Sequence, residues 1–133
     1  MRSIVAAGLC LSALSASRAT AQHPSSKSAA DSVATELVGT WAGQYQTDHA
    51  PPGMFTLTIV KDTGWTAKME MTSGDQPFPT RVIDFTVNGS NVSWTQELMG
   101  MTCKGSAVLA AGTLRGETSC DHASVGYVLR KTK

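Results

Sequence analysis

The sequence lacks most of the features by which enzymes and nucleic-acid-binding proteins are recognised. It contains no block of like-charged residues, so neither a nucleic-acid-binding surface nor a basic membrane-binding face is indicated. Gly-x-Ser-x-Gly, His-Glu-x-x-His and phosphate-binding glycine loops are absent, and no oriented nucleophile and base can be identified. Asp121 and His122 are adjacent in sequence, which does not orient one side chain on the other. We therefore expect a protein that is not an enzyme and needs no cofactor.

The apolar stretch near the N-terminus, from Ile4 to Leu14, is too short to cross a hydrocarbon core of ~30 Å. It follows Arg2 and precedes the small residues Ala19-Thr20-Ala21. A positive start, a short apolar stretch and a small-x-small site predict a secretory signal peptide over residues 1–21. We therefore exclude these residues from the fold and expect a secreted or periplasmic protein without membrane insertion.

Removal of the predicted signal peptide leaves a nearly neutral chain with two cysteines. Arg2 and Arg18 leave with it, so nine basic residues remain against ten acidic ones. Cys10 leaves as well, whereas Cys103 and Cys120 stay. An even cysteine count in an exported chain favours a disulfide. A redox pair or two metal ligands are the alternatives, but neither a CxxC spacing nor a paired histidine motif is present.

The remaining chain divides into a tail and one small domain. Residues 22–35 are mainly Ser, Ala, Lys and Asp without periodicity, and we predict a flexible N-terminal tail there. From residue 36 to residue 133, short alternating runs rich in Thr, Val, Trp, Phe and Ile are separated by Gly, Asn, Asp and Pro, which is typical of strands and turns. The domain is therefore predicted to be all-β, with eight strands over residues 40–47, 54–61, 65–72, 81–87, 91–98, 101–109, 113–120 and 124–131.

One face of each predicted strand is apolar, as expected when an antiparallel sheet packs on one side and faces water on the other. The predicted inward positions include Trp41, Tyr45, Phe55, Leu57, Ile59, Trp65, Met69, Met71, Ile83, Phe85, Val87, Val92, Trp94, Gln96, Leu98, Cys103, Leu109, Leu114, Thr118, Val125, Tyr127 and Leu129. Consecutive strands of this kind predict an antiparallel up-and-down barrel. Its short turns, at 61–64, 88–91 and 110–112, alternate with longer connections, which predicts a closed end and an open end.

The turn around Gly112 predicts a register. A two-residue turn at Ala111 and Gly112 pairs residues whose numbers sum to 223, so Cys103 lies opposite Cys120 at a non-hydrogen-bonded position. Cα atoms approach to ~4.5 Å at such positions, where a disulfide is feasible. A three-residue loop would place the two cysteines on opposite faces. The disulfide and the two-residue turn therefore support each other.

The segment Leu37-Val38-Gly39-Thr40-Trp41, together with Arg130 in the last strand, resembles the calycin pattern of lipocalins and, in part, avidins. In lipocalins the tryptophan of this pattern plugs the closed end and a basic residue of the last strand lies across its ring. The resemblance implies that Trp41 and Arg130 close the barrel, a cation over an indole being worth ~0.5–2 kcal/mol. The chain is also similar to short lipocalin-like domains of exported bacterial proteins and to barrel-shaped inhibitors of secreted metalloproteases.

The open end is the candidate binding site. Methionine suits a pocket for irregular apolar ligands, and eight strands enclose room for side chains or for one small ligand. Small inward residues, Gly43, Gly105, Ala107 and Gly116, also favour a cavity. We predict that a small, mainly apolar molecule is bound by Tyr45, Phe55, Met69, Met71, Phe78, Trp94, Gln96 and Met101. The alternatives are a packed interior and a protein-binding module or inhibitor of a secreted enzyme, acting through the N-terminal tail or the outer wall.

Two further features of the open end have ordinary explanations. His49, His122 and a thioether could hold copper, but nothing in the sequence determines their spacing, and loop histidines are more often solvated, so we predict no metal site. Gln96 and Thr118 are polar on the inward face, and a buried polar group needs a partner. A ligand or water could supply that partner, although an internal hydrogen bond is the more common answer.

Overall fold

The computed structural model describes residues 26–45, 47 and 51–133; the predicted signal peptide, residues 1–21, lies outside them. An N-terminal helix, α1 (Ser26–Leu37), is followed by nine strands. The strands are β1 (Gly39–Tyr45), β2 (Gly53–Lys61), β3 (Trp65–Ser73), β4 (Gln76–Phe78), β5 (Thr80–Asn88), β6 (Asn91–Leu98), β7 (Met101–Ala110), β8 (Thr113–Cys120) and β9 (Ala123–Lys131).

The strands form one antiparallel sheet in the order β4-β3-β2-β1-β9-β8-β7-β6-β5. The sheet curls until β3 lies beside β5, so the barrel is nearly closed. The prediction of an up-and-down β-barrel is confirmed, with nine strands rather than eight because β4 adds a short hairpin to β3. The connections β2–β3, β5–β6 and β7–β8 lie at one end of the barrel, and the connections β6–β7 and β8–β9 lie at the other.

The predicted register of β7 and β8 is confirmed. Cys103 pairs with Cys120 and Leu109 with Leu114. Ala111 and Gly112 both have positive φ, of 50° and 73°, which is the conformation of a two-residue type I′ hairpin turn. The cysteine Cα atoms are 4.4 Å apart and the disulfide is formed.

Strand β5 departs from the predicted alternation at Ile83. The pairing of β5 with β6 shifts between Val82 and Asp84, so Ile83 is the extra residue of a β-bulge. Ile83 is consequently 52% exposed on the outer wall, whereas Val82 packs against the core. The prediction of Ile83 as an inward residue is therefore wrong, because the bulge reverses the period-2 pattern on one side of it.

The helix α1 occupies most of the segment for which we predicted a flexible N-terminal tail. Residues 22–25 lie outside the described residues, but from Ser26 onward the chain is helical. Val33 and Leu37, one turn apart, pack against the barrel core, and Leu37 is fully buried. A helix this short is marginal by itself and takes its stability from such tertiary packing. The tail prediction is corrected accordingly for residues 26–35.

The closed end of the barrel is built around Trp41, as predicted. The indole Nε1 donates to the carbonyl oxygen of Leu37 at 2.9 Å, and the ring is almost fully buried. The cation over this ring is Lys131, whose Nζ lies 5.6 Å from the centroid and donates to the carbonyl oxygen of Glu36 at 2.7 Å. Arg130, which we expected in this role, pairs with Ala42 in the sheet and is exposed. The prediction was wrong by one residue, which in a strand means the opposite face.

Candidate functional site

The open end of the barrel contains a cavity of about 170 Å³. Strands from most of the barrel wall contribute to its lining, so it lies inside the barrel and not on one sheet face. The lining residues are Tyr45, Phe55, Met71, Leu98, Met101, Thr118, Cys120, Ala123, Val125 and Tyr127. No charged residue is among these described lining residues, and the surface of the cavity is almost entirely apolar.

Four of the eight predicted ligand-binding residues line this cavity, namely Tyr45, Phe55, Met71 and Met101. The other four do not. Phe78 in β4 pairs with Met71 in β3 and is half-buried, and Met69 accepts a weak hydrogen bond from Thr80 at 3.9 Å. Trp94 and Gln96 lie deeper along β6 than Leu98, so they form the floor below the cavity.

The floor is a hydrogen-bonded polar chain within an apolar core. The Trp94 Nε1 donates to Gln96 Oε1 at 2.7 Å, and Gln96 Nε2 donates to Met71 Sδ at 3.7 Å. Gln96 is fully buried. Its amide is therefore satisfied internally, which was the more ordinary of the two explanations for a polar residue at this position.

Aromatic rings stack beside the floor. The Phe55 and Tyr127 ring centroids are 4.5 Å apart, and both rings lie 6.3 Å from Trp94. The indole of Trp94 lies directly over Gly105, where a Cβ atom would overlap the ring. Gly105 was expected to leave room for a ligand, but it makes room for this ring instead.

The other small residues do not make the cavity either. At Gly43 and Gly116 an added Cβ would meet the backbone of a neighbouring strand, and neither of these glycines nor Ala107 lines the open-end space. The cavity lies instead among larger side chains near the open end of the barrel. Small residues at inward positions were therefore the wrong signal for locating the cavity.

The hydroxyl groups of the lining residues are hydrogen-bonded within the protein and add almost no polar surface to the cavity. Tyr45 donates to the carbonyl oxygen of Thr72 at 2.6 Å, and the hydroxyls of Thr118 and Tyr127 share a hydrogen bond of 3.1 Å. Burial raises the pKa of Tyr127 far above its usual value, and Glu117 adds to this, whereas the hydrogen bond with Thr118 opposes it. Burial also raises the pKa of Tyr45. Both phenols are therefore neutral at physiological pH.

Six of the lining residues were not among the predicted binding residues: Leu98, Thr118, Cys120, Ala123, Val125 and Tyr127. Leu98, Thr118, Val125 and Tyr127 were predicted to face inward, and all lie in the open-end halves of their strands. They could have been identified by selecting, from the residues predicted to face inward, those that lie near the predicted open end. Cys120 follows from the confirmed disulfide, whereas nothing in the sequence pointed to Ala123.

Two further depressions are less suited to a ligand. A cavity of about 170 Å³ between α1 and the closed end includes Val33, Trp65 and Lys61, whose Nζ lies over the Trp65 ring at 5.1 Å. A shallow groove on the outer wall of β1, β8 and β9 includes Arg115 and Arg130 but is largely open to solvent. The open-end cavity combines a closed floor with an apolar wall.

Metal-binding and membrane-spanning features were also sought within the described residues. No three His, Cys, Asp or Glu side chains come together there. His122 is exposed between β8 and β9, and His49 lies outside the described residues. No helix of the described part of the chain has the length and apolarity to span a membrane.

Neither a protein-family model nor the sequence of a curated protein matches this chain. Among solved structures, two crystal structures of variants of the fluorescent protein UnaG are similar in fold. One is 13% identical with a TM-score of 0.49, covering 75% of this chain and 99% of the UnaG chain. The other is 14% identical with a TM-score of 0.46, covering 74% and 98%, respectively. At this identity and overlap, the likeness says nothing about what the cavity of this chain holds.

Proposed function

We propose that this protein is an exported, non-enzymatic binding protein that holds a small, mainly apolar molecule at the open end of its barrel. The observation that carries the proposal is the apolar cavity of about 170 Å³ inside the barrel. Concave, mostly apolar pockets with a few placed polar groups are the usual form of small-molecule sites. Export is supported by the signal-peptide pattern of residues 1–21 and by the disulfide.

The close packing of the deeper core residues makes the cavity at the open end informative about function. Deeper core residues such as Leu57, Ile59 and Leu129 are fully buried, as in a close-packed interior. Leaving about 170 Å³ unfilled by side chains costs on the order of 4 kcal/mol at ~24 cal/mol per Å³. A ligand that recovered all of this free energy would bind with a dissociation constant on the order of 1 mM, and this value is the upper bound on affinity from volume alone.

The chemistry of the wall supports binding rather than catalysis. The lining offers a disulfide, two thioethers and hydroxyl groups, without a nucleophile held by an oriented base. The raised pKa values of Tyr45 and Tyr127 make both phenols poor proton donors near neutral pH. We therefore retain the expectation of a non-enzymatic protein.

The alternative, a protein-binding role of residues 22–35 or of the outer wall, has less support. The two residues of α1 best suited to anchor a partner, Val33 and Leu37, are used on the barrel itself. The outer groove that includes Arg115 and Arg130 is open and shallow, so it lacks the enclosed anchor pocket typical of a tight protein interface.

A titration with toluene tests the proposal. The oxidised protein without residues 1–21 is followed by amide NMR as toluene is added. We expect saturable shifts at open-end residues such as Leu98 and Val125, with a dissociation constant on the order of 1 mM. Residues at the closed end, such as Ala34, should not shift. Absence of saturable shifts, or shifts centred on α1, would contradict binding at the open end.

A further inference from the structure

The wall of the open-end cavity presents almost no polar surface to an occupant. Buried side chains such as Phe55 and Met71 line it together with Met101, which is 41% exposed. No charged residue is among the described lining residues. A molecule inside the cavity is therefore surrounded almost entirely by carbon and sulfur atoms.

The hydroxyl groups of the lining residues are engaged within the protein. The Tyr45 hydroxyl donates to the carbonyl oxygen of Thr72 at 2.6 Å. Thr118 and Tyr127, each only 5% exposed, share a hydrogen bond of 3.1 Å. Among the described residues, no buried side-chain nitrogen or oxygen lacks a hydrogen-bond partner. The cavity therefore contains no orphaned side-chain polar group for a ligand to satisfy.

A polar group carried into this cavity by a ligand loses its hydrogen bonds to water. In an apolar site without a partner, the loss is not compensated and weakens binding. An apolar molecule has no such hydrogen bonds to lose, and its transfer out of water is favourable. The wall should therefore accept a hydrocarbon ring more readily than the same ring with a hydroxyl group.

The volume limits the size of the occupant. An engineered apolar cavity of about 150 Å³ is large enough to bind benzene. The open-end cavity, at about 170 Å³, is of similar size. It accommodates one ring with a short substituent and is too small for a long acyl chain or a large fused-ring molecule.

We propose that the ligand is a neutral molecule about the size of one benzene ring that carries no hydrogen-bonding group, such as a hydrocarbon or a halogenated hydrocarbon. This inference rests on the proposed function and names its ligand class. The site should distinguish such molecules from alcohols, phenols and acids of the same size, because its wall is almost entirely apolar.

Three probes of nearly equal size test the ligand class by amide NMR titration of the oxidised protein without residues 1–21. Toluene carries a methyl group, chlorobenzene replaces it by a polar bond without a hydrogen-bond donor, and phenol replaces it by a hydroxyl group. We expect toluene and chlorobenzene to bind within about three-fold of each other. Phenol should bind between about ten-fold and about a hundred-fold more weakly than toluene.

The variant Thr118→Val tests the cause of this preference. It removes the hydrogen-bond partner of the Tyr127 hydroxyl while keeping the shape of the side chain, so one hydroxyl group in the wall is left unpaired. We expect phenol to bind about five-fold tighter than it does to the unmodified protein, the effect of one net hydrogen bond, and toluene affinity to change little. An unpaired buried hydroxyl lowers stability, so circular dichroism first checks that the variant is folded.

Two further variants complete the comparison. Thr118→Val/Tyr127→Phe removes both hydroxyls and should keep the original preference for toluene. Replacing both partners of a hydrogen bond by apolar isosteres is close to neutral for stability, so this variant should fold. The matched control, Ser119→Ala, removes the partner of the Ser124 hydroxyl on the outer face of the same two strands and should leave phenol affinity unchanged.

Each result decides a different part of the inference. Phenol binding as tightly as toluene would overturn the ligand class and leave the proposed function standing. Loss of phenol affinity in Thr118→Val/Tyr127→Phe would do the same, because the hydroxyl pair would then already serve a ligand. Absence of a gain in Thr118→Val would refute the apolar wall as the cause of the preference. Failure of toluene and chlorobenzene to bind would overturn the proposed function itself, and the ligand class with it.

Discussion

A larger side chain in the wall of the open-end cavity should raise the stability of the protein and lower its affinity for a ligand. Val125, near the start of β9, is half-buried and lines the cavity. The substitution Val125→Leu adds one methylene group at this wall. Val128 lies on the same strand but on the outer face, where it is 36% exposed. Val128→Leu makes the same chemical change without access to the cavity and is the matched control.

The magnitude follows from the free volume. Burying one methylene contributes about 0.8 kcal/mol, and a cavity of about 170 Å³ can receive it without overpacking. For a domain of this size, that should raise Tm by about 3–6 °C. The same methylene takes space from the ligand, so the affinity for toluene should fall about four-fold. Val128→Leu should leave both quantities nearly unchanged.

Thermal unfolding followed by far-ultraviolet circular dichroism, and calorimetric titration with toluene, measure the two effects on the oxidised protein. A variant in which stability and affinity fall together would mean that the new methylene meets packed atoms rather than free space. An equal loss of affinity in Val128→Leu would mean that the ligand does not lie inside the barrel. Either result would refute the assignment of the cavity as the site.

Three further predictions concern the elements around the site. Gly105→Ala should cost about 1–3 kcal/mol in urea unfolding, because its Cβ would overlap the underlying indole ring. Gly126→Ala, where the nearest atom is 3.9 Å from the added Cβ, should stay within about 0.5 kcal/mol, and equal costs at both glycines would contradict the packing argument. Lys131→Met should lose about 0.5–2 kcal/mol by removing the cation from the closed-end indole, whereas Arg130→Met should change stability little; the reverse order would restore the original expectation. The raised pKa of Tyr127 favours the neutral phenol in the folded state, so its stabilising contribution is complete below the unfolded pKa of about 10 and is lost as the pH rises above that value. Unfolding free energies at about pH 8 and about pH 11 should therefore diverge more for the unmodified protein than for Tyr127→Phe, and equal divergence would exclude this phenol as the cause.

The strand pattern could be read from the sequence because its causes are local. Side chains of a strand alternate between two faces, so the inward set followed from the period of the apolar residues. A two-residue turn between β7 and β8 determines every pair along that hairpin, which is why the disulfide between Cys103 and Cys120 could be predicted. Trp41 at the closed end followed from a short motif at the start of β1.

The errors occurred where contacts between distant segments outweigh local pattern. The bulge at Ile83 depends on the fit of β5 to β6. The helix α1 forms over a segment with few apolar residues because Val33 and Leu37 find a surface on the barrel. The expectation for Arg130 came instead from the resemblance, whereas the alternation of Val125, Tyr127 and Leu129 already placed Lys131 on the inward face, where it reaches Trp41.

The amino-acid order alone was enough to specify an antiparallel barrel, its hairpin register and its disulfide, because periodicity and turn length act between near neighbours and propagate along each strand. The location and size of the open-end cavity came only with the folded chain. They depend on how side chains from most of the barrel wall fill a shared interior, and unfilled volume is a property of that whole arrangement rather than of any one segment.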